Sequence, residues 1–307
     1  MQTILVPLDG SPFGEHALPL ALALARHGDM QIALAHVHYL FAPSLAPTGA
    51  PIVDPRIDAL FREEEAAYLA DVSHRIAKVW NGPVTMTLLE TPVAEALCQH
   101  AALIGASLVV MSSHGRGGLA RAWLGSVADR MIRQSAVPIL LVHPEDGTPD
   151  LAHEPRLDHI LVPLDGSLLA EQILPHATWI GRLVGARYTL LRVIEPVIRG
   201  FLVNGVEPVV DVEAQEVAWQ QASEYVERTA ARLHAEGLAA VPEVRVGRPI
   251  AEILACATER QADLIAMSTH GHGGLTRLFL GSVTDKVLRS AGVPVLAFRP
   301  PEARQEG

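Results

Sequence analysis

One stretch of this chain occurs twice, and that repeat constrains the fold more than any other feature. Leu108 to Val142 reads LVVMSSHGRGGLARAWLGSVADRMIRQSAVPILLV, and Leu264 to Phe298 reads LIAMSTHGHGGLTRLFLGSVTDKVLRSAGVPVLAF. His270 lies 156 residues after His114, and Gly281 lies 156 residues after Gly125. A constant offset of that size in a chain of 307 residues means two copies of one domain of ordinary size. In each copy an apolar strand runs into a glycine-rich loop, a helix opens at Gly-Ser-Val, and a second apolar strand follows a proline. A strand that feeds such a loop and then a helix N-terminus is a common way to hold a phosphate, because backbone N–H groups converge there.

The remainder of each half repeats as well. Thr3–Asp9 (TILVPLD) and His159–Asp165 (HILVPLD) are apolar runs without alternation, as expected of parallel strands covered on both faces. A helix should follow each, over Phe13–His27 and Leu169–Gly185, then a second strand over Gln31–His38 and Arg187–Ile194. The proline- and glycine-rich segments Tyr39–Pro55 and Glu195–Asp211 read as long connections, a kind that is usually functional or mobile. Amphipathic helices over Arg56–Val79 and Ala214–Glu236 come next, closed by Asn81-Gly82 and Gly237. A third strand (Val84–Leu89; Val241–Val246) and a short helix (Pro92–Ile104; Pro249–Arg260) then deliver the fourth strand, where the opening motif begins. The fold class expected is α/β: two doubly wound domains in tandem, each on a five-stranded parallel sheet with right-handed crossovers. The domains are placed at 1–146 and 155–301, with Pro144–Leu157 as an exposed connection and Pro300–Gly307 as a disordered tail.

Composition narrows the function. Hydrophobic residues make up 49% of the chain, enough for two buried sheets, yet no apolar run approaches the roughly 20 residues of a spanning helix. Leu18–Ala25 comes nearest, and Pro19 with flanking Arg26 and His27 suits a buried helix better. The N-terminus enters a strand directly, without a leader pattern, so a cytoplasmic protein with no membrane role is expected. The net charge of −10, from 24 basic and 34 acidic residues, argues against a nucleic-acid partner, which needs clustered Lys and Arg. Cys98 and Cys256 stand at non-equivalent places in the repeat and outside any Cys-x-x-Cys, and read as small buried side chains.

The polar chemistry falls at the carboxyl ends of strands, where doubly wound sheets bind ligands. Asp9 and Asp165 end the first strands, Ser112–Gly118 and Ser268–Gly274 follow the fourth, and Gly125-Ser126 and Gly281-Ser282 open the helices after them. Each has a plain alternative. Gly-Ser at a helix start is also an ordinary cap, and Asp-Gly-Ser after a strand is also a turn. His114 and His270 could bond a loop carbonyl, and no second ligand lies at metal spacing, so no metal site is assigned. The conjunction of all three features, twice, favours a phosphate site.

Both halves resemble universal stress protein domains, over about residues 2–143 and 158–299, and the full chain resembles a tandem member of that family. The ATP-binding branch carries Gly-x2-Gly-x9-Gly-Ser/Thr, which aligns here as Ser112-x2-Gly115-x9-Gly125-Ser126 and Ser268-x2-Gly271-x9-Gly281-Ser282. The resemblance implies a fold like that of the adenine-nucleotide α-hydrolases, with ATP, and magnesium as its optional companion, as the cofactor. It implies that Asp9 and Asp165 bond the adenine or ribose end, that Val37 and Val193 touch the base, and that Met111 and Met267 line the adenine pocket. Gly115, Gly125, Ser126 and Val127, with Gly271, Gly281, Ser282 and Val283, would hold ribose and phosphates. Pro7, Pro163, Ser112, Ser268, His114, His270, Arg116, Gly118 and Gly274 complete the candidate cofactor-binding set. One departure stands in both halves: serine replaces the first glycine. A positive φ there would cost serine about 1 kcal/mol or more, whereas a negative φ leaves its hydroxyl as a further donor. With every other element intact, the replacement reads as tolerated.

The loop lacks a Walker lysine and no acidic pair is set to hold magnesium, so binding is better supported than catalysis and no catalytic residue is assigned. The leading reading is an ATP-binding stress-response or regulatory module with slow or no hydrolysis. Two alternatives stay open: an enzyme of the adenine-nucleotide α-hydrolase type, although Asp9-Gly10-Ser11-Pro12 lacks that group's second glycine, and a scaffold with degenerate sites. The terminal apolar strands Ile139–Val142 and Val295–Phe298 suggest pairing of the two domains within the chain, with a homodimer as a further option. Arg116 in the first half stands where the second half has His272, which suggests that the first half prefers ATP over ADP more strongly.

Overall fold

Thr3 to Leu8 is buried along nearly its whole length, and Gln31–His38 and Leu108–Ser112 pair with it on either side. The computed structural model describes residues 1–38, 44–45, 51–52, 54–113, 124–201, 208–269 and 280–300, and the chain divides into two units, Met1–Pro155 and Arg156–Gly307. The first unit runs β1 (Thr3–Leu8), α1 (Pro12–Glu15), α2 (Leu18–Gly28), β2 (Gln31–His38), β3 (Ser44–Leu45), β4 (Pro51–Ile52), α3 (Pro55–Ala77), β5 (Val84–Glu90), α4 (Val93–Leu103), β6 (Leu108–Ser112), α5 (Ser126–Gln134) and β7 (Ile139–Val142). The second repeats the order as β8 (His159–Pro163), α6 (Leu168–Glu171), α7 (Leu174–Val184), β9 (Arg187–Ile194), β10 (Ile198–Phe201), β11 (Pro208–Val210), α8 (Val212–Ala235), β12 (Ala240–Val246), α9 (Pro249–Glu259), β13 (Leu264–Ser268), α10 (Ser282–Ser290) and β14 (Val295–Phe298).

The first sheet has the order β5-β2-β1-β6-β7 and the second β12-β9-β8-β13-β14, all parallel. This is the doubly wound α/β fold that the repeat implies. The chain works outward from β1 through β2 to β5, then returns to the other side of β1 for β6. Loops at the carboxyl ends of β1 and β6 therefore diverge and leave a crevice, the usual ligand position in such sheets. Helix α2 is buried from Leu18 to Ala25, so the apolar run that came nearest to a membrane span is core. No helix among the described residues is long and apolar enough to cross a membrane.

Three expectations are corrected. The single helix expected over Phe13–His27 is two, α1 and α2, and its counterpart is likewise split into α6 and α7. Pro19 and Pro175 sit at the second position of the later helix in each case; a proline has no N–H to donate, and its ring displaces the carbonyl four residues back. The connections after β2 and β9 are not wholly irregular: β3 pairs with β4, and β10 with β11, as short antiparallel ribbons. The expected exposed connection at Pro144–Leu157 is in part held down. Gly147 O lies 3.1 Å from His16 Nε2, Leu151 O accepts from Arg26 at 3.4 Å, and Leu151 itself is buried. The tail from residue 301 onward lies outside the described residues.

Candidate functional site

A cavity of about 530 Å³ opens at the carboxyl ends of β1, β2 and β6 in the first unit, a volume ordinary for a small-molecule site. Of the sequence-predicted residues, Pro7, Asp9, Val37, Met111, Ser112, Gly125, Ser126 and Val127 all line it. His114, Gly115, Arg116 and Gly118 lie outside the described residues, as do His270, Gly271, His272 and Gly274.

Local structure fixes each wall. Beyond Leu8 the chain turns at Gly10, whose φ of 77° is left-handed. Asp9 Oδ1 accepts from Ser11 N at 3.0 Å and from Ser11 Oγ at 2.6 Å, and Ser11 Oγ accepts from Gly14 N as the cap of α1. The turn and the site are thus one arrangement: the bonds of an Asx turn hold Asp9 at the cavity. Gly14 permits it, since a Cβ there would stand 2.5 Å from Asp9 Oδ1. Arg75 of α3 grips Glu15 through two bonds of 2.9 Å, which ties α1 to the long helix.

The opposite wall is the start of α5. Gly125 N donates to Ser113 O at 2.7 Å, which pins together the two ends of the glycine-rich loop. No side chain caps α5, and its first intrahelical donor is Asp129 N, bonded to Gly125 O. The N–H groups of Ser126, Val127 and Ala128 have no such intrahelical acceptor, as at every helix start. With the partial positive charge of the helix they form an anion-attracting wall. Ser112 and Ser268 are not among the described residues with positive φ, where the only non-glycines are Asp29 and Gln261. Serine in place of the family's first glycine therefore carries no backbone strain.

The third wall was not foreseen from the sequence. Leu8, Gly14, His36, Glu65, Val93, Leu97, Ser113 and Ala128 also line the cavity. His36 Nδ1 donates to Leu8 O at 2.8 Å, its Nε2 lies 3.6 Å from Glu65 Oε1, and its ring meets Tyr68 edge-on. Behind it, His38 is fully buried between Glu65 Oε2 at 2.7 Å and Asp58 Oδ1 at 2.8 Å. Both of its nitrogens face carboxylates, so both donate only as the imidazolium. Burial works against that charge, but the bonds to Glu65 and Asp58 outweigh it and raise the pKa. Asp58 passes the chain on to Arg62, which also bonds Glu90, and Arg62, then His38, hold the Asp58 carboxyl below its usual range. A sequence signal existed: His-x-His in an apolar strand, with Asp58 and Glu65 seven residues apart on one helix face.

The second unit places its residues likewise. Pro163, Asp165, Val193, Met267, Ser268, Gly281, Ser282 and Val283 stand at the ends of β8, β9 and β13 and at the start of α10. Asp165 Oδ1 accepts from Ser167 N and Oγ, and Gly281 N donates to Thr269 O at 2.9 Å. A Cβ on Gly281 would approach that carbonyl to 3.0 Å, so this glycine also serves the closure of the loop. Among the described residues no group of three or more His, Cys, Asp or Glu is arranged to hold a metal.

Comparison with known proteins identifies relatives of both halves. The profile of the universal stress protein family matches residues 1–143 and 156–299. A universal stress protein of Mycolicibacterium smegmatis is 28% identical over 311 residues, covering 97% of each chain. One from Mycobacterium tuberculosis is 32% identical over 203 residues, a match spanning 63% of this chain and 62% of that relative. Among solved structures, a universal stress protein from Archaeoglobus fulgidus superimposes with a TM-score of 0.70 at 21% identity, covering 97% of this chain and 98% of that one, a likeness of fold. The chain belongs to the universal stress protein family, with two family domains in tandem.

Proposed function

We propose that the first unit's cavity holds ATP and that the protein is a nucleotide-binding stress-response module with slow or no hydrolysis. One observation carries this: the cavity is bounded on one side by the uncapped start of α5 and on the other by Asp9 and the end of β2. The residues present fit the nucleotide. Ser126, Val127 and Ala128 offer N–H groups to phosphate oxygens, Met111 and Val37 offer apolar surface to a ring, and Asp9 offers a carboxylate to ribose hydroxyls or base N–H groups. Magnesium would accompany the phosphates as their counter-ion. Cytoplasmic location and pairing of the two domains through their terminal strands belong to the same proposal; cross-linking of cysteines placed in Ile139–Val142 and Val295–Phe298 tests the pairing.

Acid release of nucleotide from freshly purified protein, followed by anion-exchange chromatography, separates the functional classes. ATP is the expected product. AMP with pyrophosphate would point to an α-hydrolase-type enzyme, and protein without nucleotide that also fails to take up added ATP would point to a scaffold.

A further inference from the structure

Among the described residues lining the first unit's cavity, the ionisable side chains are Asp9, Glu65 and His36. Two are acids and none is a lysine or arginine, so a ligand bearing phosphate adds negative charge to a cavity that already holds it. Of the three, only the histidine can turn positive near neutral pH.

The geometry singles out the atom that would take the proton. His36 Nδ1 lies 2.8 Å from Leu8 O; a carbonyl only accepts, so Nδ1 carries hydrogen and a neutral ring keeps its lone pair on Nε2. That lone pair faces Glu65 Oε1 at 3.6 Å, one acceptor towards another. A proton on Nε2 turns the same approach into an ion pair. Glu65 is fixed in this position, because its other oxygen bonds His38 at 2.7 Å and His38 is bonded in turn by Asp58.

The surrounding elements bring no other partner of that kind to the ring. Tyr68 of α3 meets it edge-on, with its phenol kept neutral by burial first and by Glu15 next. Leu88 of β5 pairs beside His36, α4 contributes Val93 and Leu97 to the cavity, and Asp9 stands at the end of β1. Arg62 and Glu90 lie beyond His38 and bond each other. Helix α5 follows β6, two strand spacings from β2, or about 10 Å. That is about one Debye length at physiological salt, and a ligand filling the cavity displaces the water between, so charge held at α5 is felt at His36.

Resting on the reading of this cavity as a nucleotide site, we propose that binding in the first unit is linked to a proton: His36 Nε2 takes one up as the anionic ligand enters, pairs with Glu65, and makes the site bind more tightly as pH falls. The second unit lacks the pair. The register of β8 and β9 gives Arg192 at the position of His36. On α8, where Arg232 bonds Glu171 as Arg75 bonds Glu15, the same offset gives Ala222 at the position of Glu65. Arginine stays charged throughout this pH range, so the linkage belongs to the first unit.

Titration calorimetry of the full chain with ATP, repeated at pH 7 in buffers of different ionisation enthalpy, counts the protons taken up. His36→Asn keeps a donor for Leu8 O but cannot titrate. The wild type is expected to take up about 0.5 proton more per chain than this variant, and its affinity to rise about threefold to tenfold more between pH 8 and pH 6. The ionisation of ATP itself enters both proteins equally. Where the variant fails to fold or to bind, the assigned ring 15N shifts of His36 in the wild type give the same reading: Nε2 should move to the protonated range when ATP is added at constant pH. Proton uptake equal in wild type and His36→Asn would place it on another group and overturn the inference, as would a His36 ring that ATP leaves unmoved; the nucleotide reading would stand. If ATP binds at neither pH, both readings fall.

Discussion

His38 shows how much of this molecule is decided at single residues. Its side chain has no exposure, yet both of its nitrogens meet carboxylates, Glu65 and Asp58, which favour the imidazolium against the burial that opposes it. Because its pKa is raised on folding, the stabilisation is fully present below the unfolded value of about 6.5 and is lost as pH rises through the folded value. Urea denaturation of the wild type and of His38→Gln at pH 6 and at pH 9 checks the sign. The variant is expected to be less stable by about 1–3 kcal/mol at pH 6, with a smaller gap at pH 9; a gap that widens with pH would contradict the assignment. The pair of serines at the head of the glycine loop teaches a related lesson. The sequence left open whether Ser112 and Ser268 were strained, since φ is not written in residue type; the structure resolves it, with both outside the left-handed region.

At the scale of elements, the strands were the most legible part. β2 and β9 coincide with the runs expected from apolar composition, and α5 and α10 open at Gly-Ser-Val as read. The break between α1 and α2 was less visible, because Pro19 suits the first turn of a helix and the sequence alone does not say which helix. The wall made by β2 and α3 was missed because it needs the packing of two elements distant in sequence: nothing local brings Glu65 beside His36. Four-residue α1 deserves a test of its own, since it holds Asp9 in place. Gly14→Ala would force Asp9 Oδ1 away from a contact of 2.5 Å, whereas the second unit carries Ala170 at that position within the same turn. The substitution is therefore expected to weaken ATP binding about tenfold while thermal unfolding shifts by only a few degrees. Unchanged affinity in calorimetry would show that Asp9 is placed for the turn alone.

For the whole molecule, the duplication is the organising fact. It gave the fold class and the number of units before any coordinates, and eight of the residues named in the first half line one cavity. What it concealed is the difference between the copies. Equivalent positions diverge from His36 and Glu65, which line the first unit's cavity, to Arg192 and Ala222. The loops at 114–123 and 270–279, where Arg116 and His272 were expected to tune phosphate preference, lie outside the described residues.

The central claim is that a nucleotide sits on the bare start of α5, and hydrogen–deuterium exchange with and without ATP tests it most directly. The amides of Ser126, Val127 and Ala128 have no intrahelical acceptor and should exchange fast in ligand-free protein. The expected result is that ATP slows exchange in a peptide covering 125–129 and in one covering the turn after β1, with little change in α2 or β5. Saturating ATP that leaves the 125–129 peptide unchanged would contradict the account.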